Sequence, residues 1–207
     1  MAGINPDWRD GFLFVGNQLA LDFVNTRPIM NGQPVELLSD WEALLRWFRA
    51  AGLVSKKDMK ALGRQWEKQL EAGACLEKLR VFRESLRATV LRLEAGAEPA
   101  SKTITELNRL LRAHPLLSEV RRTERGLAKQ RFFEPRRPED LFAPIVDAAA
   151  EMLVNLHPGR LRRCESCILH FYDTSKNGTR RWCSMQICGN RSKVAAYAER
   201  KRRRKRQ

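Results

Sequence analysis

Long apolar runs are missing from this sequence of 207 residues, and so are the patterns that usually mark catalysis. No stretch of 18 or more apolar residues occurs, which predicts that no helix spans a membrane. The N-terminal segment MAGINPDWRD has no basic region followed by an apolar one, so we expect no signal peptide and a cytoplasmic location. No phosphate-binding loop, nucleophile–base arrangement or pair of catalytic carboxylates is found. We therefore expect that the protein is not an enzyme.

Acidic residues are scarce in one part of the chain, from His157 to Gln207. That segment holds 15 Lys and Arg against 3 Asp and Glu, whereas the preceding 156 residues hold 24 against 21. A nearly neutral body with a basic end favours a polyanion as partner of that end. Nucleic acid is the first choice, and an acidic membrane surface is the alternative. For the terminal run from Arg200 to Arg206, the alternative is a solubilising tail.

Apolar residues recur at helical spacing through most of the first 157 positions. We expect Ser39 to cap a helix in a capping box with Glu42, because apolar residues then follow at i, i+3, i+4 and i+7. A second helix is expected to carry Leu70 on its apolar face. The same periodicity predicts helices that begin near Ser55, Cys75, Ile104 and Pro138.

Between residues 117 and 133 the helical period is lost. Two short runs of alternating polar and apolar residues flank Glu124-Arg125-Gly126, which predicts a β-hairpin with Gly126 at a turn position of positive φ. Further on, His157-Pro158-Gly159 ends the last of these helices. This tripeptide is the predicted domain boundary.

Four of the five cysteines lie within 25 residues, in the order Cys164-x2-Cys167 and Cys183-x4-Cys188. Four thiolates surround Zn²⁺ tetrahedrally at about 2.3 Å, and the residues between the two pairs are enough for a returning hairpin. This stretch has too few large apolar residues for a core of its own, so a metal would supply much of its folding energy. Because four sulfurs leave no position for water, we expect one structural Zn²⁺.

Other uses of these cysteines stay open at this point. Two disulfides would suit an exported protein, and Cys164-x2-Cys167 would suit a redox pair, although the βαβ pattern expected around such a pair is missing. His157 or His170 would be able to replace one thiolate. Cys75 lies on a helical face and is expected to be a small buried hydrophobe.

The residues around the second cysteine pair resemble a known motif. Cys183 to Lys193 reads CSMQICGNRSK, and the ten residues before it have the order D-x-S-x-N-x-x-R-R-W. This segment closely resembles the CGNR zinc finger of bacteria, a resemblance that implies Zn²⁺ bound by the four clustered cysteines. The chain departs from the family pattern at Ile168-Leu169-His170, where a tryptophan or another large apolar residue is common.

The front of the chain resembles the ABATE domain, which usually precedes that finger and is described as a stress-induced transcription regulator. Gly16-Asn17, Leu21 to Thr26 and Val35 to Leu38 carry this resemblance. It implies a bacterial DNA-binding regulator whose front domain senses a signal or forms a homodimer. Three polar residues of this region are expected to form either a small polar site or buried capping bonds: Asp22, Asn25 and Arg27.

We expect the finger and the basic helix after it to contact duplex DNA. An RNA-binding protein and a zinc-stabilised interaction module are the alternatives. Guanidinium groups bind phosphate bidentately and read guanine edges, and a metal site would fix their geometry. Pairing of these arginines with Asp173 and Glu165 is the competing expectation. The predicted nucleic-acid contacts are Arg180, Arg181, Arg191, Lys193, Arg200, Lys201, Arg202, Arg203 and Arg204.

The expected fold is mainly α with a small β-hairpin, in the α+β class. It comprises a helical N-terminal domain over residues 1–157, a small treble-clef-like zinc finger over 158–199 and a basic tail over 200–207. Gly189 is expected to let the backbone turn tightly at the metal, and Asn190 to satisfy backbone groups where the last helix begins.

Overall fold

The computed structural model of the protein describes residues 7–30, 32–66, 70–124 and 126–206. The seven helices of this part are α1 Leu19–Val24, α2 Trp41–Ala50, α3 Lys56–Trp66, α4 Leu70–Glu94, α5 Ser101–Ala113, α6 Phe142–Asn155 and α7 Asn190–Arg206. Its eight strands are β1 Trp8–Arg9, β2 Phe12–Leu13, β3 Ile29–Met30, β4 Gln33–Pro34, β5 Leu117–Thr123, β6 Gly126–Phe132, β7 Leu161–Arg163 and β8 His170–Tyr172. They form four antiparallel two-stranded sheets. The mainly helical prediction with small hairpins is confirmed.

The cap of α2 is one residue away from its predicted position. Asp40 has extended backbone angles, and its carboxylate accepts a hydrogen bond from the Ala43 N–H at 2.7 Å. This bond lowers the pKa of the Asp40 carboxyl. The prediction of Ser39 as cap was wrong, because a charged acceptor next along the chain takes the amide and the Ser39 hydroxyl donates to that carboxylate instead.

The long helix α4 begins five residues before the predicted start near Cys75. Leu70 is its first residue and is 91% exposed, so the prediction that it extends the apolar face of the preceding helix was wrong. Residues 67–69, between the two helices, lie outside the described residues. The final helix of the front domain also starts differently, because Pro138–Leu141 forms a turn of 3-10 helix before α6.

The core of the front domain surrounds the short helix α1. Leu21, Phe23 and Val24 have no exposed surface, since α4, α6 and β8 all pack against this helix. The Trp47 ring lies 5.5 Å from the rings of both Phe23 and Phe48. Each such aromatic side chain contributes about 1.5–3 kcal/mol to stability through burial.

The predicted hairpin is formed by β5 and β6, with Thr123 opposite Gly126. Gly126 has a φ of 108°, as the turn requires. Arg125, the middle residue of the predicted turn, lies outside the described residues. Arg131 ties the hairpin to α6 through ion pairs with Asp147 and Glu151.

Packing continues across the tripeptide His157-Pro158-Gly159. Leu161 is buried in the core of the front domain and Tyr172 packs against it, whereas Val15 lies in the small core of the finger. The Tyr172 N–H donates to the Gly16 carbonyl at 2.8 Å. The finger is therefore seated on the front domain. Among the described residues, no helix is long and apolar enough to cross a membrane.

Candidate metal centre and nucleic-acid interface

The first two cysteines lie in the turn between β7 and β8. The Cys164 N–H donates to the Leu169 carbonyl at 2.8 Å, and the Ile168 N–H donates to the Cys164 carbonyl at 3.0 Å. These two bonds close a tight knuckle that points both sulfurs to one side. The knuckle places Ile168 at a φ of 59°, in the left-handed region that β-branched residues rarely adopt.

The second pair lies where α7 is about to begin. The Ser184 hydroxyl accepts a hydrogen bond from the Ile187 N–H at 3.3 Å, and the Ser184 carbonyl accepts from Cys188 and Gly189 at 3.0 Å each. A Cβ atom on Gly189 would lie 2.7 Å from the Met185 sulfur, so a larger residue in the close turn predicted there would displace the Met185 side chain. Asn190 donates to the Gln186 carbonyl at 3.2 Å, which satisfies a backbone group as predicted.

Together these turns bring four sulfurs into one cluster. The Sγ atoms of Cys164, Cys167, Cys183 and Cys188 all lie within 4.8 Å of one another. The Sγ of Cys183 is 3.5 Å from that of Cys167 and 3.7 Å from that of Cys188. A tetrahedron with metal–sulfur bonds of about 2.3 Å has edges of about 3.8 Å. The cluster therefore fits one four-coordinate thiophilic metal ion.

The surroundings of the cluster are apolar. Val15, Leu169 and Phe171 are buried against the cysteines, and none of the five cysteines is joined in a disulfide. Hydrogen bonds with the Cys164 and Cys167 sulfurs, together with burial, raise the pKa of Cys183. Four sulfurs packed this closely cannot all ionise without a cation among them, whereas a coordinating metal deprotonates each thiol.

A buried carboxylate connects the hairpin to the second pair. Asp173 has no exposed surface and accepts hydrogen bonds from the N–H groups of Ser175 at 2.9 Å and Arg180 at 2.7 Å. Burial acts to raise its pKa, but these bonds outweigh it and lower the pKa. The spacing D-x-S-x-N-x-x-R is thus that of a loop closed by one aspartate.

Two family models match the chain. The model of the ABATE domain, described as "Putative stress-induced transcription regulator", matches residues 17–155, and that of the CGNR zinc finger matches residues 160–201. The chain belongs to the ABATE family. A search of the curated proteins finds no match. The two resemblances seen in the sequence are confirmed, and the sulfur cluster is the metal-binding site of the CGNR finger.

Three predicted nucleic-acid contacts lie within the finger and bind its own atoms. Arg180 donates to the Cys183 carbonyl and lies over the Phe171 ring at 5.1 Å. The other two join the halves of the finger: Arg181 donates from Nε to Glu165 Oε1 at 2.8 Å and from Nη2 to Oε2 at 2.5 Å, and Arg191 bonds the Ser166 hydroxyl and carbonyl at 3.0 and 2.9 Å. These arginines clamp the knuckle to the start of α7.

The remaining predicted contacts lie along α7 and are exposed. Arg203 is paired with Glu199 at 2.6 Å. The side chains of the other five make no hydrogen bond or ion pair with the part of the chain that the structure describes: Lys193, Arg200, Lys201, Arg202 and Arg204. Free cationic groups are therefore concentrated on this helix.

The three polar residues of the front domain serve separate purposes. Asp22 accepts a hydrogen bond from the Gly16 N–H at 2.7 Å, and Arg27 pairs with Glu84 at 3.4 Å. Asn25 bonds the backbone of His170 in the finger. They do not form one polar site; the alternative of turn bonding applies to Asp22, whereas Asn25 and Arg27 bond residues that are distant in the sequence.

Sequence reasoning missed a partly buried pair that joins the front domain to the finger. His170 Nδ1 lies 2.9 Å from the Glu94 carboxylate, at the end of α4. This bond occupies one nitrogen of the ring of His170, which had been an alternative metal ligand. His157 is exposed and is not part of the metal cluster. No local pattern marks either partner, because they are 76 residues apart.

Proposed function

We propose that the protein is a bacterial transcription regulator that binds duplex DNA through α7 while one structural Zn²⁺ holds that helix in place. It acts in the cytoplasm and catalyses no reaction. The family match and the sulfur cluster support the zinc-finger part of this proposal. The observation that carries the DNA-binding part is the position of α7: its first residue, Asn190, lies two residues after the ligand Cys188.

The geometry of α7 suits a nucleic-acid groove. Its 17 residues span about 25 Å, and the element that it chiefly contacts is the turn Met185–Gly189. Most of its surface is thus open to a partner. An α-helix fits the major groove of duplex DNA, and each phosphate that a lysine or arginine neutralises releases a counterion.

One stripe of α7 is the best candidate for the contact. Lys193, Tyr197, Arg200 and Arg204 follow one another at i, i+4, i+7 and i+11, so they lie on the same face of the helix. All four are exposed, with Tyr197 at 63%. In this proposal the three cations bind phosphates, and the tyrosine ring packs against the sugar edge. The zinc ion fills its shell with four thiolates and so supplies folding energy rather than Lewis-acid chemistry.

A charge-matched pair of variants tests the proposal. The triple substitution Lys193→Gln, Arg200→Gln and Arg204→Gln removes three charges from the stripe. The control removes three exposed lysines from the start of α3: Lys56→Gln, Lys57→Gln and Lys60→Gln. Fluorescence anisotropy with mixed-sequence duplex DNA over a range of salt concentrations gives the slope of log K against log salt. We expect the slope to fall by about 2.7 for the stripe variant, since each lost phosphate contact contributes about 0.9, and to stay unchanged for the control.

Equal losses in both variants would show that only net charge matters and would overturn the role of α7. Genome-wide mapping of the DNA-bound protein tests the regulatory part of the proposal. We expect the wild type to be enriched at discrete sites and the stripe variant to show no such enrichment. Tighter binding to structured RNA than to duplex DNA at matched salt would replace DNA by RNA as the partner.

A further inference from the structure

A cavity of about 310 Å³ lies between the front domain and the finger. One wall comes from α4 and from the segment that follows α1, and the other from β7 and the cysteine knuckle. Its volume is at the small end of the range of ligand sites, about 300–1,000 Å³. A molecule bound there would touch both parts of the chain.

Three arginines and one glutamate line this cavity, which gives it a positive balance. Arg27 and Arg87 come from the front domain and Arg163 from the finger, whereas Glu84 is the single acid. Glu84 is neutralised by Arg27, Arg83 and Arg87, which all pair with it. It therefore offers little repulsion to an incoming anion.

Several guanidinium donors in the cavity have no acceptor. Arg163 makes no hydrogen bond or ion pair with the described residues, and Arg87 has no partner for its Nη1 among them. Arg87 is held in place by its bonds to the Val24 and Arg27 carbonyls. Burial lowers the pKa of Arg87, and the neighbouring charge of Arg83 adds to that effect. An anion would stabilise both groups.

Apolar side chains also face the cavity. Ile29 is 39% exposed, Leu91 43% and Ile168 45%, so three large hydrophobic residues that are open to solvent lie around one small space. A cluster of this kind marks a binding site far more often than scattered single residues do.

Ile168 lines the cavity in a strained conformation. Its φ of 59° is one that glycine adopts freely, whereas a side chain there costs about 1–2 kcal/mol. Strain of this kind persists where the surrounding structure imposes it, as the two hydrogen bonds of the knuckle do. Here it holds an apolar side chain in the cavity wall, directly beside the ligand Cys167.

We propose that this cavity binds a small organic carboxylate whose apolar body is the size of a benzene ring or a branched alkyl chain. Arg163 and Arg87 bind the carboxylate, and Ile29, Leu91 and Ile168 enclose the body. The bound molecule then contacts the knuckle of the finger and α4 at the same time. The regulatory consequence, a change in how α7 meets DNA, rests on the function proposed above, whereas the binding itself does not.

Calorimetry on the zinc-loaded full chain tests the site without nucleic acid. The probes are benzoate and isovalerate, with benzamide as the uncharged analogue of the first, and acetate and inorganic phosphate as anions without an apolar body. We expect saturable binding of benzoate, isovalerate or both, and at least about tenfold weaker binding of the three comparison molecules, since a charge-assisted pair or the apolar contact is lost in each. No saturable heat from either acid at millimolar concentration would overturn the proposal. Equal binding of benzamide or of phosphate would do the same.

Two variants and a control assign the site. Arg163→Gln removes an exposed guanidinium, and Ile168→Gly removes the apolar wall while relieving the strained backbone, so both should fold and keep their zinc. We expect each to weaken binding of the acid about tenfold or more. Arg112→Gln, an exposed arginine on α5 that does not line the cavity, should leave the affinity unchanged. Unchanged affinity in Arg163→Gln would refute the carboxylate contact. The salt dependence of DNA binding by the stripe variant is measured in a separate experiment, so failure of one proposal does not imply failure of the other.

Discussion

The side-chain amide of Asn25 is hydrogen-bonded to both backbone groups of His170. Its Nδ2 donates to the His170 carbonyl at 2.8 Å, and its Oδ1 accepts from the His170 N–H at 3.0 Å. Both residues are buried. An asparagine amide presents the same donor and acceptor as a peptide group, so Asn25 pairs with β8 as a strand residue would. The end of α1 thus holds the finger by its backbone.

Replacing Asn25 by alanine should weaken the attachment of the finger to the front domain. The change leaves a buried N–H and a buried carbonyl of His170 unpaired, and each unsatisfied group costs about 1–3 kcal/mol. We expect a lower free energy of unfolding and faster amide hydrogen exchange across β8, with zinc retained. Asn155→Ala is the control, since it removes a single exposed side-chain bond, to the Glu151 carboxylate within α6, which should be worth much less. Equal exchange in the two variants would contradict the role given to Asn25.

Cys183→Ser should abolish zinc binding, because a hydroxyl is a poor replacement for a thiolate ligand. Elemental analysis is expected to give about one zinc per chain for the wild type and for Cys75→Ser, and none for Cys183→Ser. Cys75 is the matched control because it is buried away from the cluster and its thiol donates to the Pro138 carbonyl at 3.1 Å. A zinc-free variant that folds fully would refute the structural role of the metal.

Alkylation of the native protein should distinguish Cys75 from the four clustered cysteines. Burial raises the pKa of Cys75 to about 12, so at neutral pH it holds almost no thiolate and should not react with iodoacetamide. The four clustered cysteines should be protected with metal bound and react once a chelator has removed it. Mass spectrometry of the alkylated peptides distinguishes the two groups. Reaction of Cys75 in the folded protein would contradict its burial.

Ile168→Gly should stabilise the protein by about 1 kcal/mol or less, since removing the strain of a left-handed β-branched residue outweighs the lost packing of a residue that is 45% exposed. Gly52→Ala provides the reverse change. Gly52 has a φ of 76°, and a Cβ added there would have no atom within 4 Å, so backbone strain alone should destabilise this variant by about 1 kcal/mol. Chemical denaturation with zinc present measures both. Destabilisation by Ile168→Gly would mean that packing of its side chain outweighs the strain.

Asp22→Asn should remove one component of the pH dependence of stability. Burial raises the pKa of Asp22 to about 7 from 3.8. The folded state therefore keeps a proton that the unfolded state has lost, and this contribution to stability is present at low pH and disappears between about pH 4 and pH 7. The difference between wild type and Asp22→Asn in free energy of unfolding should change over that window and be flat above it. A difference that is constant from pH 4 to pH 8 would contradict the raised pKa.

The metal site could be predicted from sequence because its information is local. Two cysteine pairs within 25 residues specify the ligands, and the period of apolar residues specifies most helices in the same way. Adjacent polar residues limit this method, as Ser39 and Asp40 show. Both suit a helix cap, and only the backbone angles decide between them.

The contacts between the two parts of the chain could not be predicted, because they have no local signature. Asn25 bonds a backbone group, which any residue type provides, and Glu94 is one of four glutamates on α4. Within the finger, the pairing of Arg181 with Glu165 was the competing expectation and is found, whereas the bond of Arg191 to Ser166, 25 residues earlier, was not foreseen. Sequence indicates which residues are cationic. It does not indicate which of them have already found an acceptor.

The bond between Asn25 and His170 joins residues 145 positions apart, which bears on how the chain folds. Contacts between such distant residues form late, since a long loop has to close, at a cost in chain entropy, before the contact can stabilise the fold. The cysteine knuckle, by comparison, closes over a handful of residues. During synthesis, α1 leaves the ribosome long before its partner strand exists. We expect the nascent finger to capture its metal first and to join the finished front domain only as the last step of assembly.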